Sequence, residues 1–260
     1  MHQDHNAPGY HKHDDDTVHF GYRTVRAADK VHLVQTHFDS IASHYDRMNT
    51  LLSFGLHYLW KRSAISMLTL QPGQQVIDVC GGTADLAIMA ARAVGTSGCV
   101  TVYDINHAMM ELGRRKSCKT SLVGSIHFVQ GDAEHISLPD NLFDAAMVGF
   151  GIRNVTHMEK GLAEMHRVLK PQGKFLCLEF SQPTSGIFRS LYDFYSFYIM
   201  PRVGRLFTGS SQAYRYLPES IRLFPSPPAL STLLEQIGFA HVSYRTLTNG
   251  IAAIHTATKG

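Results

Sequence analysis

From Gln75 to Ser181 the chain alternates short apolar runs with longer amphipathic stretches. "QVIDVC" reads as a buried strand that leads through "GGTAD" into a helix over "LAIMAARAV". "CVTVYD" precedes the helical "HAMMELGRRK", "IHFVQGD" follows, and "FDAAMVGF" precedes "HMEKGLAEMHRVLK". A Pro-Gln-Gly turn then opens "KFLCLEFS". Strands separated by helices on short loops predict a parallel sheet, because parallel neighbours need crossover connections. Near the end the rhythm changes. "PALSTLLEQIGF" reads as a helix, and "HVSYRTLTNG" and "IAAIHTATKG" read as two strands joined around Asn249-Gly250, a good hairpin turn. The pattern predicts an α/β fold whose mostly parallel sheet is closed by an antiparallel hairpin.

Ahead of the sheet, residues of about 36–69 read as helical, with Phe38, Ile41, Tyr45, Met48 and Leu52 at three- and four-residue steps. "SFG" at 53–55 interrupts them, and Ser53 is placed to cap a second helix carrying His57 and Trp60. Residues of about 183–225 are rich in aromatics and prolines and fit neither a short loop nor a strand. The first residues, "MHQDHNAPGYHKHDDD", lack the apolar run of a secretory signal. Their His11, His13 and Asp14 to Asp16 offer metal donors without fixed geometry, so a mobile tail and no metal site are expected. The expected organisation is a tail at 1–18, a helical segment at 19–70, and an α/β unit at 71–260 with an insertion at about 183–225.

Composition narrows the class. With 44% hydrophobic and 17% charged residues the chain reads as compact and globular, and 260 residues suffice for a real core. A formal charge of +3 without a dense basic run argues against nucleic acid as a partner. The four cysteines, Cys80, Cys99, Cys118 and Cys177, form no CxxC pair and read as buried reduced thiols of a cytoplasmic protein. No apolar window is long enough to span a bilayer, so the chain is expected to be soluble or peripheral.

The loop after the first strand, "DVCGGTADLA", lacks dinucleotide spacing, and the acids around it discriminate between ligands. Asp78 and Asp85 flank the glycines, Asp104 ends the second strand and Asp132 follows the third. A pyrophosphate would be repelled by so many carboxylates. S-Adenosylmethionine has no phosphate and carries a cationic sulfonium and amino group. Gly81 and Gly82 allow the backbone close to its methionine part. Asp104 follows Gly82 by about 20 residues, the spacing at which an acid reaches ribose hydroxyls. Asp132, beside Ala133, is a candidate acceptor for the adenine amino group. Asp78 either contacts the ligand or caps backbone amides, and the "GD" at Asp132 is also an ordinary turn.

With these residues in place, the chain resembles the UbiE-type ubiquinone/menaquinone-biosynthesis C-methyltransferase family over about His19 to Gly260. "YDRMNTLLSFGLHYLW" is similar to the signature Y-D-x-M-N-x-x-L-S-x-G-x-H-x-x-W, through Tyr45, Asp46, Met48, Asn49, Leu52, Ser53, Gly55, His57 and Trp60. "RVLKPQGKFLCLEFS" from Arg167 is similar to a second signature, and "FGIRNV" and "YRYLPESIRLFP" resemble the motif after strand four and a late motif. The resemblance implies a Rossmann-like class I methyltransferase fold with seven strands and an N-terminal helical lid, adenosylmethionine as cofactor, and a prenylated benzoquinol or demethylmenaquinol as substrate. It carries cofactor contacts to Thr83, Asp104 and the pair Asp132-Ala133. Three positions depart from the pattern: Ala84 and Gln172 replace usual glycines, and Gly149 replaces a serine that touches the cofactor.

Methylating a ring carbon requires the neighbouring phenol to lose its proton as charge develops. Arg153-Asn154, expected at a strand C-terminus facing the ligand crevice, offers donors to that phenolate. An arginine is no unaided base; Arg153 instead reads as an anion stabiliser or water orienter, or as a structural arginine that caps a helix or pairs with Asp144. Tyr45 and Asn49 of the lid are candidates to bond a quinol oxygen or a relay water. His57, titrating near neutrality, is a candidate proton acceptor, or it and Asp46 pin the two lid helices together. Trp60 reads as structural. "LYDFYSFYIMPRVGRLF" at 191–207 is either a greasy, membrane-facing entrance with Arg202 and Arg205 or a helix over the sheet. Association with a membrane (the inner membrane), with a quinone-biosynthesis complex or as a homodimer stays open. So do two other readings: a same-fold methyltransferase for another phenol or lipid, and a non-catalytic scaffold.

Overall fold

A computed structural model of the chain describes residues 16–120, 123–208 and 212–260. Residues 1–15 of the expected tail lie outside the described residues, but its last residues do not form a tail: Thr17 and Val18 pair with Arg26 and Val25 in a strand. Among the described residues no cluster of His, Cys, Asp and Glu is arranged to hold a metal, and no helix is long and apolar enough to cross a membrane.

Five strands form the parallel part of the sheet: β3 (Gln75–Val79), β4 (Cys99–Asp104), β5 (Ile126–Gln130), β6 (Phe143–Gly149) and β7 (Leu169–Phe180). Two more, β8 (Phe239–Leu247) and β9 (Ala252–Lys259), pair antiparallel with each other, and β9 pairs antiparallel with β7. The order across the sheet is β5-β4-β3-β6-β7-β9-β8. Helices α4 (Asp85–Val94), α5 (His107–Ser117), α6 (Met158–Val168) and α10 (Pro227–Ile237) fill the connections. Because side chains alternate across a strand, the runs feed two cores. Val76, Val100, Val102, Met147, Leu176 and Ile254 pack with α4 and with α3 (Leu56–Leu68). Ile77, Val79, Tyr103, Val148, Phe175 and Cys177 pack with α6 and α10. The predicted hairpin turn is present, with Asn249 at φ 55° and Gly250 at φ 89°.

The segment before β3 departs from the periodicity reading. It opens with a two-stranded hairpin, β1 (Thr17–Phe20) and β2 (Arg23–Arg26), and α1 already starts at Ala27 and runs to Ile41. A 3₁₀ turn leads into α2 (Tyr45–Leu52). The capping position of α3 falls on Gly55 (φ 75°) rather than Ser53, whose hydroxyl instead donates to Asn49 O at 2.6 Å and receives His57 N at 3.4 Å. Residues 183–225 are largely helical: α7 (Gly186–Phe194), a π-helical stretch Tyr195–Ile199, α8 (Met200–Thr208) and α9 (Gln212–Leu223), which contains Pro218. The Pro-Gln-Gly turn does not start β7 but interrupts it. Phe143 pairs with Leu169 and Ala145 with Lys174, so the intervening residues bulge out around Gln172 at φ 62°. All four cysteines are free, but only Cys177 is buried; Cys118 falls beyond the inward face of α5 and is exposed.

Candidate active site

The C-terminal ends of β3, β4 and β6 open into one cavity of about 450 Å³, walled on its other sides by α1, α2, α3, α7 and α9. It is lined by each of Tyr45, Asn49, His57, Asp78, Gly81, Gly82, Thr83, Asp104, Asp132, Ala133, Arg153 and Asn154. The structure thus brings every candidate residue together, though not every one in the expected state.

On the glycine-loop side, a Cβ on Gly81 would sit 2.9 Å from Asp78 O and from Val102 Cγ1, so no side chain fits there. Gly82 (φ 48°) and Ala84 (φ 64°) both take the left-handed conformation. Ala84 therefore occupies a backbone state costing an alanine about 1–2 kcal/mol, where the resemblance leads one to expect glycine. Gly149 is crowded differently: a Cβ there would meet Leu86 Cδ1 at 2.4 Å. Asp104 holds the loop, accepting Gly82 N through Oδ2 and Asn106 N through Oδ1, both at 2.8 Å. Asp132 Oδ1 accepts Glu134 N at 2.9 Å.

Asp78 does cap a backbone amide, with Oδ2 accepting Ala87 N at 3.1 Å, yet among the described residues Oδ1 is buried without a partner. Burial pushes its carboxyl up to about 8. The Thr83 hydroxyl donates to Asp46 Oδ1 at 2.9 Å and receives Lys116 Nζ at 3.1 Å. Lys116 also bridges Asp46 and Asp85 at 2.6 and 2.7 Å. This network ties α2 to the glycine loop. Against the opposing effect of burial, Lys61 and Lys116 together hold Asp85 down to about 2.

Two assignments for α2 and α3 change. His57 is 4% exposed, and burial and the Lys61 charge lower it to about 4, so it is neutral rather than titrating near neutrality. It does join α2 to α3, through Thr50 Oγ1 at 3.2 Å from Nε2, but Asp46 reaches the glycine loop instead of His57. Trp60 is structural as expected: Nε1 donates to Thr248 Oγ1 at 2.9 Å and the ring packs near Phe150 and Phe180.

On the far side, Arg153 is buried and pairs with Glu179, not with Asp144, which takes Lys170 at 2.6 Å. Arg153 Nη1 lies 2.8 Å from Glu179 Oε1 and also donates to Phe150 O. Its Nε is buried with no partner among the described residues, and its guanidinium lies over the Phe180 ring at 5.4 Å. Asn154 Oδ1 accepts the Tyr216 hydroxyl at 2.9 Å, leaving its amide hydrogens to other partners. Phe38, Phe188, Leu191, Tyr192 and Tyr195 line this half. Glu179, Lys61 and Tyr216 were not read as site residues. A charge inside the apolar "CLEF" was the available signal for Glu179, and the four-residue step from His57 was the signal for Lys61.

The residues fit adenosylmethionine. The glycine cradle excludes any Cβ at Gly81, acids line the side where ribose is expected, and Asp78 Oδ1 and His57 Nδ1 are buried acceptors without partners. Fold and site together define an adenosylmethionine-dependent methyltransferase of the class I, Rossmann-like type. Solved structures agree on the fold. An adenosylmethionine-dependent methyltransferase from Aquifex aeolicus aligns at TM-score 0.55 with 19% identity, over 77% of this chain and 89% of that one. Haemonchus contortus phosphoethanolamine N-methyltransferase 2, in complex with S-adenosyl-L-methionine, aligns at 0.56 with 14% identity, over 76% and 52%. Residues 17–259 match the sequence model of the ubiE/COQ5 methyltransferase family, and the chain belongs to that family. Its relatives include the ubiquinone/menaquinone biosynthesis C-methyltransferase UbiE of Teredinibacter turnerae, 44% identical over 95% of this chain and 99% of that protein. The UbiE of Stutzerimonas stutzeri is 46% identical over 94% and 95%.

Proposed function

We propose that this enzyme methylates a ring carbon of a prenylated benzoquinol or demethylmenaquinol, in ubiquinone or menaquinone biosynthesis. The observation that carries the reading is the two-sided cavity. One half is an acid-lined glycine loop, and the other is an aromatic chamber with one buried arginine at its floor. Bound adenosylmethionine supplies a methyl group already activated by its sulfonium, so the protein's work is alignment, exclusion of water and management of the phenolic proton. Asp104, Asp132, Ala133, Thr83 and the Gly81-Gly82 backbone would hold the cofactor.

Glu179 fixes one edge of the Arg153 guanidinium, and the unpartnered Nε is the donor left for a developing phenolate. The Asn154 amide is a second donor, held in orientation by Tyr216. Tyr45 and Asn49, on α2, line the cavity, and in this reading they belong to a lid and meet the quinol oxygens. His57 is left without a part in proton transfer.

The tail of the substrate leaves through the aromatic side. Ile187, Leu191, Phe194, Tyr198 and Leu206 are exposed along the outer face of α7 to α8, Phe54 lies beside Tyr195, and Arg202 and Arg205 flank them. Such a face at a cavity mouth suits peripheral contact with a bilayer in which a prenylated quinol resides. Mass spectrometry of quinones from cells with and without the gene tests the function. The demethylated precursor should accumulate in its absence, and an unchanged quinone profile would overturn the reading.

A further inference from the structure

The cavity wall built by α3 carries a cation that the reaction at Arg153 does not use. His57, Trp60, Lys61, Ala64 and Leu68 are buried on one face of this helix, the spacing that turns a single stripe inward. The Lys61 side chain is 9% exposed and lines the cavity. Its ammonium lies 2.6 Å from Asp85 Oδ2. Asp85 is also paired with Lys116 at 2.7 Å, and Lys116 in turn reaches Asp46 at 2.6 Å. An ammonium has three donors, and Lys61 spends one of them among the described residues.

Two bare acceptors face the same space. The Thr50 hydroxyl hydrogen goes to Asp46 O at 2.9 Å, so Thr50 Oγ1 can only accept from His57 Nε2 at 3.2 Å. This assigns the imidazole proton to Nε2 and leaves Nδ1 a lone-pair acceptor, buried and without a partner among the described residues. Asp78 Oδ1, the second, is likewise buried without a partner among the described residues, and a cation beside it favours the carboxylate, which burial alone disfavours. The charge of Lys61 bears on both His57 and Asp78.

The topology puts this group at one end of the site. Asp104 ends β4 and Asp132 follows β5, on one side of the glycine loop after β3, whereas α3 packs on α4, β7 and β9 toward the other side. A cation with uncommitted donors and two acceptors facing it are the complement of an α-amino acid zwitterion.

We infer that α3 reads the amino-acid end of the cofactor: Lys61 pairs with its carboxylate, while His57 Nδ1 and Asp78 Oδ1 accept hydrogens of its ammonium. The inference rests on adenosylmethionine as the cofactor and is independent of the quinol. It gives His57 a binding role in place of the proton-acceptor role its sequence position suggested. The segment ahead of the sheet then completes the cofactor site as well as covering the substrate.

The test is calorimetric binding of adenosylmethionine and of decarboxylated adenosylmethionine, which lacks only the carboxylate, to wild type and Lys61→Met. Wild type should prefer the intact cofactor roughly 10- to 100-fold. Lys61→Met should lose that preference while binding the decarboxylated form within about twofold of wild type, and Lys61→Arg should recover part of it. Equal weakening for both ligands, or unchanged affinity for the intact one, would overturn the assignment. So would a wild-type enzyme that binds both ligands equally, a measurement that needs no variant to fold. Binding of neither ligand to wild type would instead remove the cofactor assignment itself.

Discussion

The buried pair Arg153–Glu179 yields a stability prediction that can be read in three variants. Both side chains are nearly out of water, at 7% and 2% exposure, and Nη1 to Oε1 is 2.8 Å. Removing one partner of such a pair strands a buried charge and costs about 3–5 kcal/mol, whereas replacing both with apolar groups is often neutral or better. Glu179→Gln strands a guanidinium that cannot shed its proton, so its cost should be large and flat between pH 5 and 8. Arg153→Met strands a carboxylate that can take up a proton. Burial already raises Glu179 despite the opposing Arg153 charge, and without Arg153 it rises further. A carboxyl whose folded pKa lies above its unfolded value near 4.3 favours the fold below that value, and the contribution is lost as pH rises toward the folded pKa. The cost of Arg153→Met should therefore grow with pH by up to about 1.4 kcal/mol per unit. The double variant Arg153→Met, Glu179→Leu should be more stable than either single one. Urea unfolding followed by circular dichroism at pH 5, 6.5 and 8 measures all three. A Glu179→Gln cost below about 1 kcal/mol, or a double variant no better than the worse single one, would refute the buried-pair reasoning.

Asp104→Ala should weaken adenosylmethionine binding by about 1.5–3 kcal/mol by calorimetry, because it frees Gly82 N and would remove the proposed ribose acceptor; wild-type affinity would refute the ribose role. Gly81→Ala should abolish cofactor binding while leaving secondary structure intact by circular dichroism, since its Cβ meets backbone at 2.9 Å. His37 and His57 are both held neutral at about 4. Groups depressed from 6.5 support the fold above that pH and withdraw support as pH falls toward 4, so the urea midpoint should drop over this window, and His57→Gln should flatten the drop.

Much of the architecture was legible because the strands are covered on both faces and read as unbroken apolar runs, from "QVIDVC" to "KFLCLEFS". The acids at strand ends were legible for the same reason: a carboxylate closing such a run stands out. The hairpin at Thr17–Arg26 was missed although its strands are short and bracket Gly21, and the helical reading began too late as a result. Residues 183–225 hid their helices behind Pro201 and Pro218 and behind a π-helical stretch that breaks the 3.6-residue period. Glu179 could not be joined to Arg153 without the β6–β7 pairing that brings them together. His57 was misjudged because its titration depends on burial, which spacing alone does not report. Ala84 was noticed as a departure from glycine, and its positive φ explains why the position matters.

The central claim, methyl transfer from adenosylmethionine to a quinol ring carbon, is tested most directly with methyl-labelled cofactor and purified enzyme. Reduced demethylmenaquinone, a prenylated benzoquinol and an unrelated phenol would each be offered, and the products located by mass spectrometry and NMR. One labelled methyl should appear on a ring carbon of at least one of the quinols and none on the phenol. Cofactor binding without label reaching any quinol, or label reaching the phenol instead, would contradict it.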